Sequence, residues 1–136
     1  MMRFFTLCLL FAAFAASGQS DEPGLLVSQK RIALVIGNGT YQHASPLSNT
    51  INDADAISSA LKSVGFDVIL VKNATNRVLE EKVREFTATI EAGKYPVALC
   101  YYSGHGLQVD GENYLVPIDA NPQRQTDVKW ECLNAQ

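Results

Sequence analysis

Apolar and polar positions fall into blocks of two kinds along this chain. Residues 31–37, RIALVIG, are a nearly unbroken apolar run closed by glycine, the pattern of a strand buried on both faces. Ile51, Ala54, Ile57, Leu61 and Val64 recur every three or four positions, which predicts one face of a helix over residues 51–64, stopped by Gly65. A second strand follows over residues 66–71, centred on Val68, Ile69 and Leu70. Thr75 is suited to cap the next helix, which has Val78, Leu79, Val83, Phe86 and Ile90 on one side and Glu80, Glu81, Lys82, Arg84 and Glu85 on the other. Gly93 ends that helix, and residues 97–102 read as a third buried strand. Residues 107–109 and 113–116 form a hairpin pattern joined through Asp110-Gly111, a strong turn pair.

The order strand, helix, strand, helix, strand, hairpin predicts a parallel sheet with helices on both faces. In open sheets of this type ligands bind beyond the carboxyl ends of the strands. Gly37-Asn38-Gly39 and Ser103-Gly104-His105-Gly106 both fall at that edge. The first of these lacks the third glycine of a dinucleotide fingerprint, and no metal-ligand spacing is present, so no cofactor and no metal are expected.

The N-terminal block changes the picture. MMRFFTLCLLFAAFAASGQS places Arg3 before an apolar run from Phe4 to Ala16, with small residues at Ala13, Ala15 and Ser17. This is the layout of a secretory signal peptide over residues 1–20, cleaved between 15 and 20; the alternative is an uncleaved N-terminal helix. A polar linker follows over residues 21–30. Secretion or export to a periplasm is the expected destination, and the run is too short to be a lasting membrane anchor. The remaining chain is one domain's length: the whole has 136 residues, 47% of them apolar, and a net charge of -3. That weak negative balance argues against nucleic acid or an anionic membrane as partner. Cys100 and Cys132 allow one disulfide, but Cys100 lies inside an apolar run, where a buried free thiol is the simpler expectation.

His105 is the candidate for chemistry. Glycine on either side lets the backbone turn sharply or lets another group approach closely. Imidazole suits proton transfer near neutrality, and the N–H of Gly106 is open to an oxyanion. A tight turn carrying a solvated histidine fits the same residues. His43 reads as a solvated loop residue, and Tyr101 and Tyr102, alternating on a strand, as core packing on opposite faces.

The run ALVIGNGTYQHASPLSNTINDADAISSAL, then YYSGHG, then YLVPID, resembles the large-subunit (p20) region of the caspase-like cysteine peptidases of peptidase family C14, with the bacterial metacaspase-like group as nearest branch. The resemblance extends from about residue 31 to 119 and implies a caspase-like (caspase-hemoglobinase) fold. This is a three-layer α/β/α sandwich with a mostly parallel sheet, here incomplete at the C-terminus over residues 31–136. It implies cysteine-type endopeptidase activity on protein or peptide substrates, in which His105 draws the proton from a thiol or protonates the leaving amine, and Gly106 helps hold the oxyanion. It also places Asp53 in the pocket for the side chain before the scissile bond, where a carboxylate selects Arg or Lys. Asp53 equally suits the first turn of a helix, where the dipole favours it.

The nucleophile is what the resemblance does not find. In the family it follows a fourth buried strand roughly four to five dozen residues beyond the histidine, whereas the chain has 31 positions after His105. Cys132, within KWECLN, has neither an apolar strand before it nor a small residue beside it. The expectation is therefore a truncated, inactive portion of a peptidase, with a non-catalytic binding or scaffold module as the alternative. The third strand should then present an unpaired apolar edge, open to pairing with another chain.

Overall fold

The computed structural model describes residues 5–14, as backbone, and residues 29–136. The cleavage region at 15–20 and most of the linker at 21–30 lie outside the described residues. Among the described residues, six strands and three helices follow in the order β1 (Phe5–Phe14), β2 (Arg31–Gly37), α1 (Thr50–Ser63), β3 (Phe66–Lys72), α2 (Asn76–Glu91), β4 (Val97–Val109), β5 (Glu112–Leu115), α3 (Gln125–Glu131) and β6 (Leu133–Asn134).

Local chemistry sets most of the boundaries. The Thr75 hydroxyl accepts from the Val78 N–H and opens α2. Gly65 and Gly93, at φ 86° and 70°, close the turns after α1 and α2. Asp110 and Gly111 both adopt positive φ, 53° and 84°, which turns β4 into β5 through the tight hairpin their pairing predicted.

The sheet runs β3-β2-β4-β5-β6, with β1 added alongside β4. Strand β2 is parallel to β3 and to β4, whereas the β1–β4, β4–β5 and β5–β6 pairs are antiparallel. The sheet is thus mixed, which corrects the expectation of a mostly parallel one: the hairpin and its short returning strand outweigh the two crossover pairs. Along β2, Ile32, Leu34 and Ile36 pack with Leu79 and Phe86 of α2, while Ala33 and Val35 pack with Ala54 of α1. The strand's two-residue period therefore buries one set under each helix. Leu79 and Phe86 each contribute about 1.5–3 kcal/mol by leaving water. A third cluster, with Leu107, Tyr114, Val116, Val128 and Cys132, fills the space between the hairpin and α3.

Two further differences concern the site. Strand β4 does not stop at Tyr102 but runs on without a break through Gly104-His105-Gly106 to Val109, so the glycines serve an extended strand and not a turn. Its outer edge is not unpaired either. Residues 5–14 lie antiparallel along it, from Phe5 opposite Gly106 to Phe14 opposite Val97. Neither α3 nor β6 was expected; they end the chain on the hairpin side of the sheet.

Candidate active site around His105

His105 sits where β4 passes the end of β2, and the loop after β2 closes over it. That loop is fixed at several points. The Asn73 side-chain oxygen accepts from the N–H groups of Gly39 and Thr40, both at 3.0 Å. The Gln42 N–H donates to the Ile118 carbonyl at 2.8 Å. Asn38, fully buried, donates from Nδ2 to the Val116 carbonyl at 3.1 Å and accepts from the Ala74 N–H at 2.9 Å. One asparagine thus ties together the segments that follow β2, β3 and β5, satisfying the polar groups it buries.

The imidazole is buried, at 7% exposure. Its Nε2 lies 2.7 Å from the Ser45 carbonyl. A carbonyl only accepts, so Nε2 carries the hydrogen and donates, and the lone pair of the neutral ring is on Nδ1. The nitrogen left with the basic lone pair, Nδ1, is itself buried, so it acts as a base only towards a group brought into direct contact with the ring. The Tyr41 ring stands against it, centroids 4.6 Å apart and planes tilted by 54°. Gln42, His43, Ala44 and Ser45 line the cleft beside His105.

The backbone around His105 is as closely held as its ring. Its N–H donates to the Tyr41 hydroxyl at 2.7 Å, and its carbonyl accepts from the Tyr102 hydroxyl at 2.8 Å and the Val116 N–H at 3.1 Å. These hydroxyls explain Gly104. A Cβ there would collide with the Tyr102 hydroxyl and stand 2.7 Å from that of Tyr41. Burial pushes both phenols above their ordinary value, Tyr102 well above, so both keep their protons.

Successive residues of a strand direct their backbone groups to alternate edges. The carbonyls of Ser103 and His105 accept from Asn38 and Val116, on the edge shared by β2 and β5. The amides of Gly104 and Gly106 therefore face the opposite edge, along which β1 lies.

Asp53 is exposed in the first turn of α1 and is not part of the cleft lining around His105. Its neighbour Ala54 packs with Tyr101 of β4. Tyr101 and His105 are four positions apart on the strand and so share a face. Cys100 and Cys132 are free thiols. Burial pushes Cys100 up to about 11, and burial with the nearby Glu131 carboxylate pushes Cys132 up to about 12. Thiols held so firmly protonated are poor nucleophiles. Cys132 follows a helix, not an apolar strand, and packs in the cluster beneath Tyr41 and Tyr114. Among the described residues no group of three or more His, Cys, Asp or Glu side chains is placed to hold a metal ion, and no helix is long and apolar enough to cross a membrane.

Sequence reasoning singled out His105 and its two glycines but not the groups packed and bonded around them: Tyr41, Tyr102, Asn38 and the Ser45 carbonyl. Tyr101 and Tyr102 do face opposite clusters as expected, yet packing alone does not account for Tyr102, whose hydroxyl is bonded to the candidate residue's own backbone. His43 is exposed, as expected of a loop residue, but it also borders the cleft.

The domain is thus α/β, with a histidine held through Nε2 by a backbone carbonyl where β4 passes the carboxyl end of β2. The family described as peptidase C14, caspase domain, matches residues 30–136, and the chain belongs to it. It is 31% identical over 118 residues to the human (Homo sapiens) mucosa-associated lymphoid tissue lymphoma translocation protein 1, a match covering 86% of this chain and 13% of that protein. The mouse (Mus musculus) homolog is 30% identical over 117 residues, covering 85% and 13% respectively. The chain thus spans about an eighth of the length of these relatives.

Proposed function

We propose that this chain carries the histidine-bearing part of a cysteine-type endopeptidase site that cleaves proteins after Arg or Lys. The single observation that supports it most is the His105 ring, fixed by the Ser45 carbonyl so that Nδ1 holds the lone pair. In this reading His105 takes the proton of a cysteine thiol and the thiolate adds to the substrate carbonyl carbon; the C–N bond breaks as His105 gives the proton to the leaving amine, and water then attacks the thioester, releasing the acid product and restoring the thiol. Gly106 donates its N–H to the oxyanion at the β4 edge. Asp53 meets the basic side chain of the substrate; in support, its neighbour Ala54 on α1 packs with Tyr101, which shares a face of β4 with His105. Neither Cys100, half-buried, nor Cys132, buried, supplies the sulfur in this reading, since both are held protonated. That same observation favours a second reading, in which the chain alone is a non-catalytic binding module of the fold.

The affiliation with the bacterial metacaspase-like branch rests on the Pro-Leu-x-Asn-x-x-Asn-Asp-Ala block at residues 46–54. Residues 1–20 are proposed to be an export leader, giving a secreted or periplasmic domain.

Two measurements test the reading. The polypeptide extended past Gln136 should cleave an Arg-ended or Lys-ended reporter peptide, and His105→Ala should lower turnover by at least about a thousandfold. In the present chain, titration with an Arg-terminated peptide should shift NMR signals of the first turn of α1 and of the His105 loop, and Asp53→Asn should weaken binding about tenfold or more. Binding that is indifferent to Asp53 would remove the basic specificity; turnover that is indifferent to His105 would remove the peptidase reading.

A further inference from the structure

We propose that Tyr41 and Tyr102 are positioning residues for His105, forming a closed hydrogen-bond ring that begins and ends on the His105 backbone. The proposal rests on the reading of His105 as the site's base. The proton count fixes the direction of each bond. The His105 N–H has one hydrogen and gives it to the Tyr41 oxygen at 2.7 Å. The His105 carbonyl has none, so the Tyr102 hydroxyl must be the donor in their 2.8 Å contact. That leaves the Tyr41 hydroxyl proton to be given to the Tyr102 oxygen, which lies 3.5 Å from the Tyr41 oxygen. The ring therefore runs from the His105 N–H to Tyr41, from Tyr41 to Tyr102, and from Tyr102 back to the His105 carbonyl. Every member is buried: Tyr102 is 1% exposed, His105 7% and Tyr41 9%. Water is a poor substitute partner in such a place, so losing one hydroxyl leaves a polar backbone group unsatisfied.

The ring does more than hold the strand. Tyr41 belongs to the same short loop as Ser45, whose carbonyl fixes Nε2, and its aromatic face lies against the imidazole. One residue thus sets the distance between the loop that orients the ring and the strand that carries it. Asn38 and Val116 anchor the far side, because the Tyr102 hydroxyl also approaches the Val116 carbonyl at 3.1 Å and Asn38 donates to that carbonyl. Gly104 is the space this ring requires. With Tyr41 displaced, the imidazole loses both its stacking face and its fixed height above the Ser45 carbonyl, and the two neutral tautomers become accessible together.

Nitrogen-15 NMR of the two histidines tests this without any cleavage assay. His43 and His105 are the only histidines in the sequence, and exposed His43 serves as the internal reference. Tyr41→Phe keeps the aromatic face and removes the hydroxyl. The expected result is exchange of the His105 amide hydrogen at least about fivefold faster than in the unsubstituted chain, as loss of one net hydrogen bond predicts. The ring signals of His105 should move from the Nε2–H tautomer towards a mixture, with those of His43 unchanged. Tyr95→Phe removes a hydroxyl bonded to exposed Asp67 and should leave both histidines as they were. Unchanged exchange and tautomer at His105 in Tyr41→Phe would overturn the proposal. Should that variant not fold, the unsubstituted chain decides: slowly exchanging hydroxyl protons of Tyr41 and Tyr102 with cross-peaks to each other and to the His105 amide proton support the ring, and their absence overturns it. A fixed His105 in a protein that neither binds nor cleaves basic peptides would leave this inference standing while the peptidase reading fell.

Discussion

At the scale of single residues, burial decides which groups can take part in chemistry. Cys132 is the clearest case. Desolvation and the nearby Glu131 carboxylate raise its thiol from 9.0 to about 12. Between those values the folded protein keeps a proton that the unfolded chain has released, so the sign of the linkage is fixed. Stability attributable to this thiol is full below the unfolded value, and it falls as pH rises from about 9 towards 12. At about pH 10 the loss from Cys132 alone should be on the order of 1 kcal/mol. Half-buried Cys100, raised to about 11, adds to it. Urea midpoints measured at about pH 8 and pH 10 should show this decline, and Cys132→Ala should make it shallower. An equally steep decline in the variant would mean that other groups carry the alkaline instability. The same residue shows why a cysteine near the end of a sequence is weak grounds for assigning a nucleophile. What counts is the environment that stabilises a thiolate, and here the environment opposes it.

At the scale of elements, the loop after β2 is the part of the molecule on which the site depends, and it borrows its rigidity from Asn73. That residue has a φ of 50°, a left-handed conformation that asparagine, aspartate and glycine tolerate best. Its side-chain oxygen holds the Gly39 and Thr40 amides while its own N–H donates to the Gly37 carbonyl at 2.8 Å. Asn73→Gly should keep the backbone shape and lose both side-chain bonds, costing about 1–2 kcal/mol in urea unfolding and speeding amide exchange at Gly39 and Thr40. Asn73→Asp keeps an acceptor and should stay close to the unsubstituted protein. Equal behaviour of the two variants would show that the conformation, and not the acceptor, matters. Elements defined by local rules were legible before any coordinates: the β2 apolar run, the Thr75 cap and the Asp110-Gly111 turn were all placed correctly. The continuation of β4 through Gly104-His105-Gly106 was not legible, because glycine reads locally as a breaker, and the reason for it is two tyrosine hydroxyls brought there by tertiary packing. Helix α3 was missed because its seven residues, QTDVKWE, carry one buried side chain, Val128, and no apolar period. Of the site, the ionisable ring was visible in sequence. Its supports were not, since a backbone carbonyl at Ser45 and a phenol bonded to main chain leave no mark on residue type.

At the scale of the whole molecule, the outer edge of β4 links architecture to the proposed site. The amides of Gly104 and Gly106 face that edge, and the strand of residues 5–14 lies along it from Gly106 to Val97. The β1 segment is also the apolar run whose flanks read as an export leader. If the leader is removed, ten residues of β4 lose a partner, and an apolar strand with a free row of amides and carbonyls is a template for another chain. A polypeptide comprising residues 21–136 should therefore self-associate, giving a mass of two or more chains by light scattering after size exclusion, with amides of β4 protected from exchange. The full chain at equal concentration should stay monomeric, its edge already paired. A monomeric 21–136 polypeptide with rapidly exchanging alternate amides along β4 would show instead that the edge is tolerated by solvation alone. Association that is suppressed by adding a peptide of residues 4–15 would locate the contact at this edge, because only a strand competing for the same backbone groups can displace a second copy there.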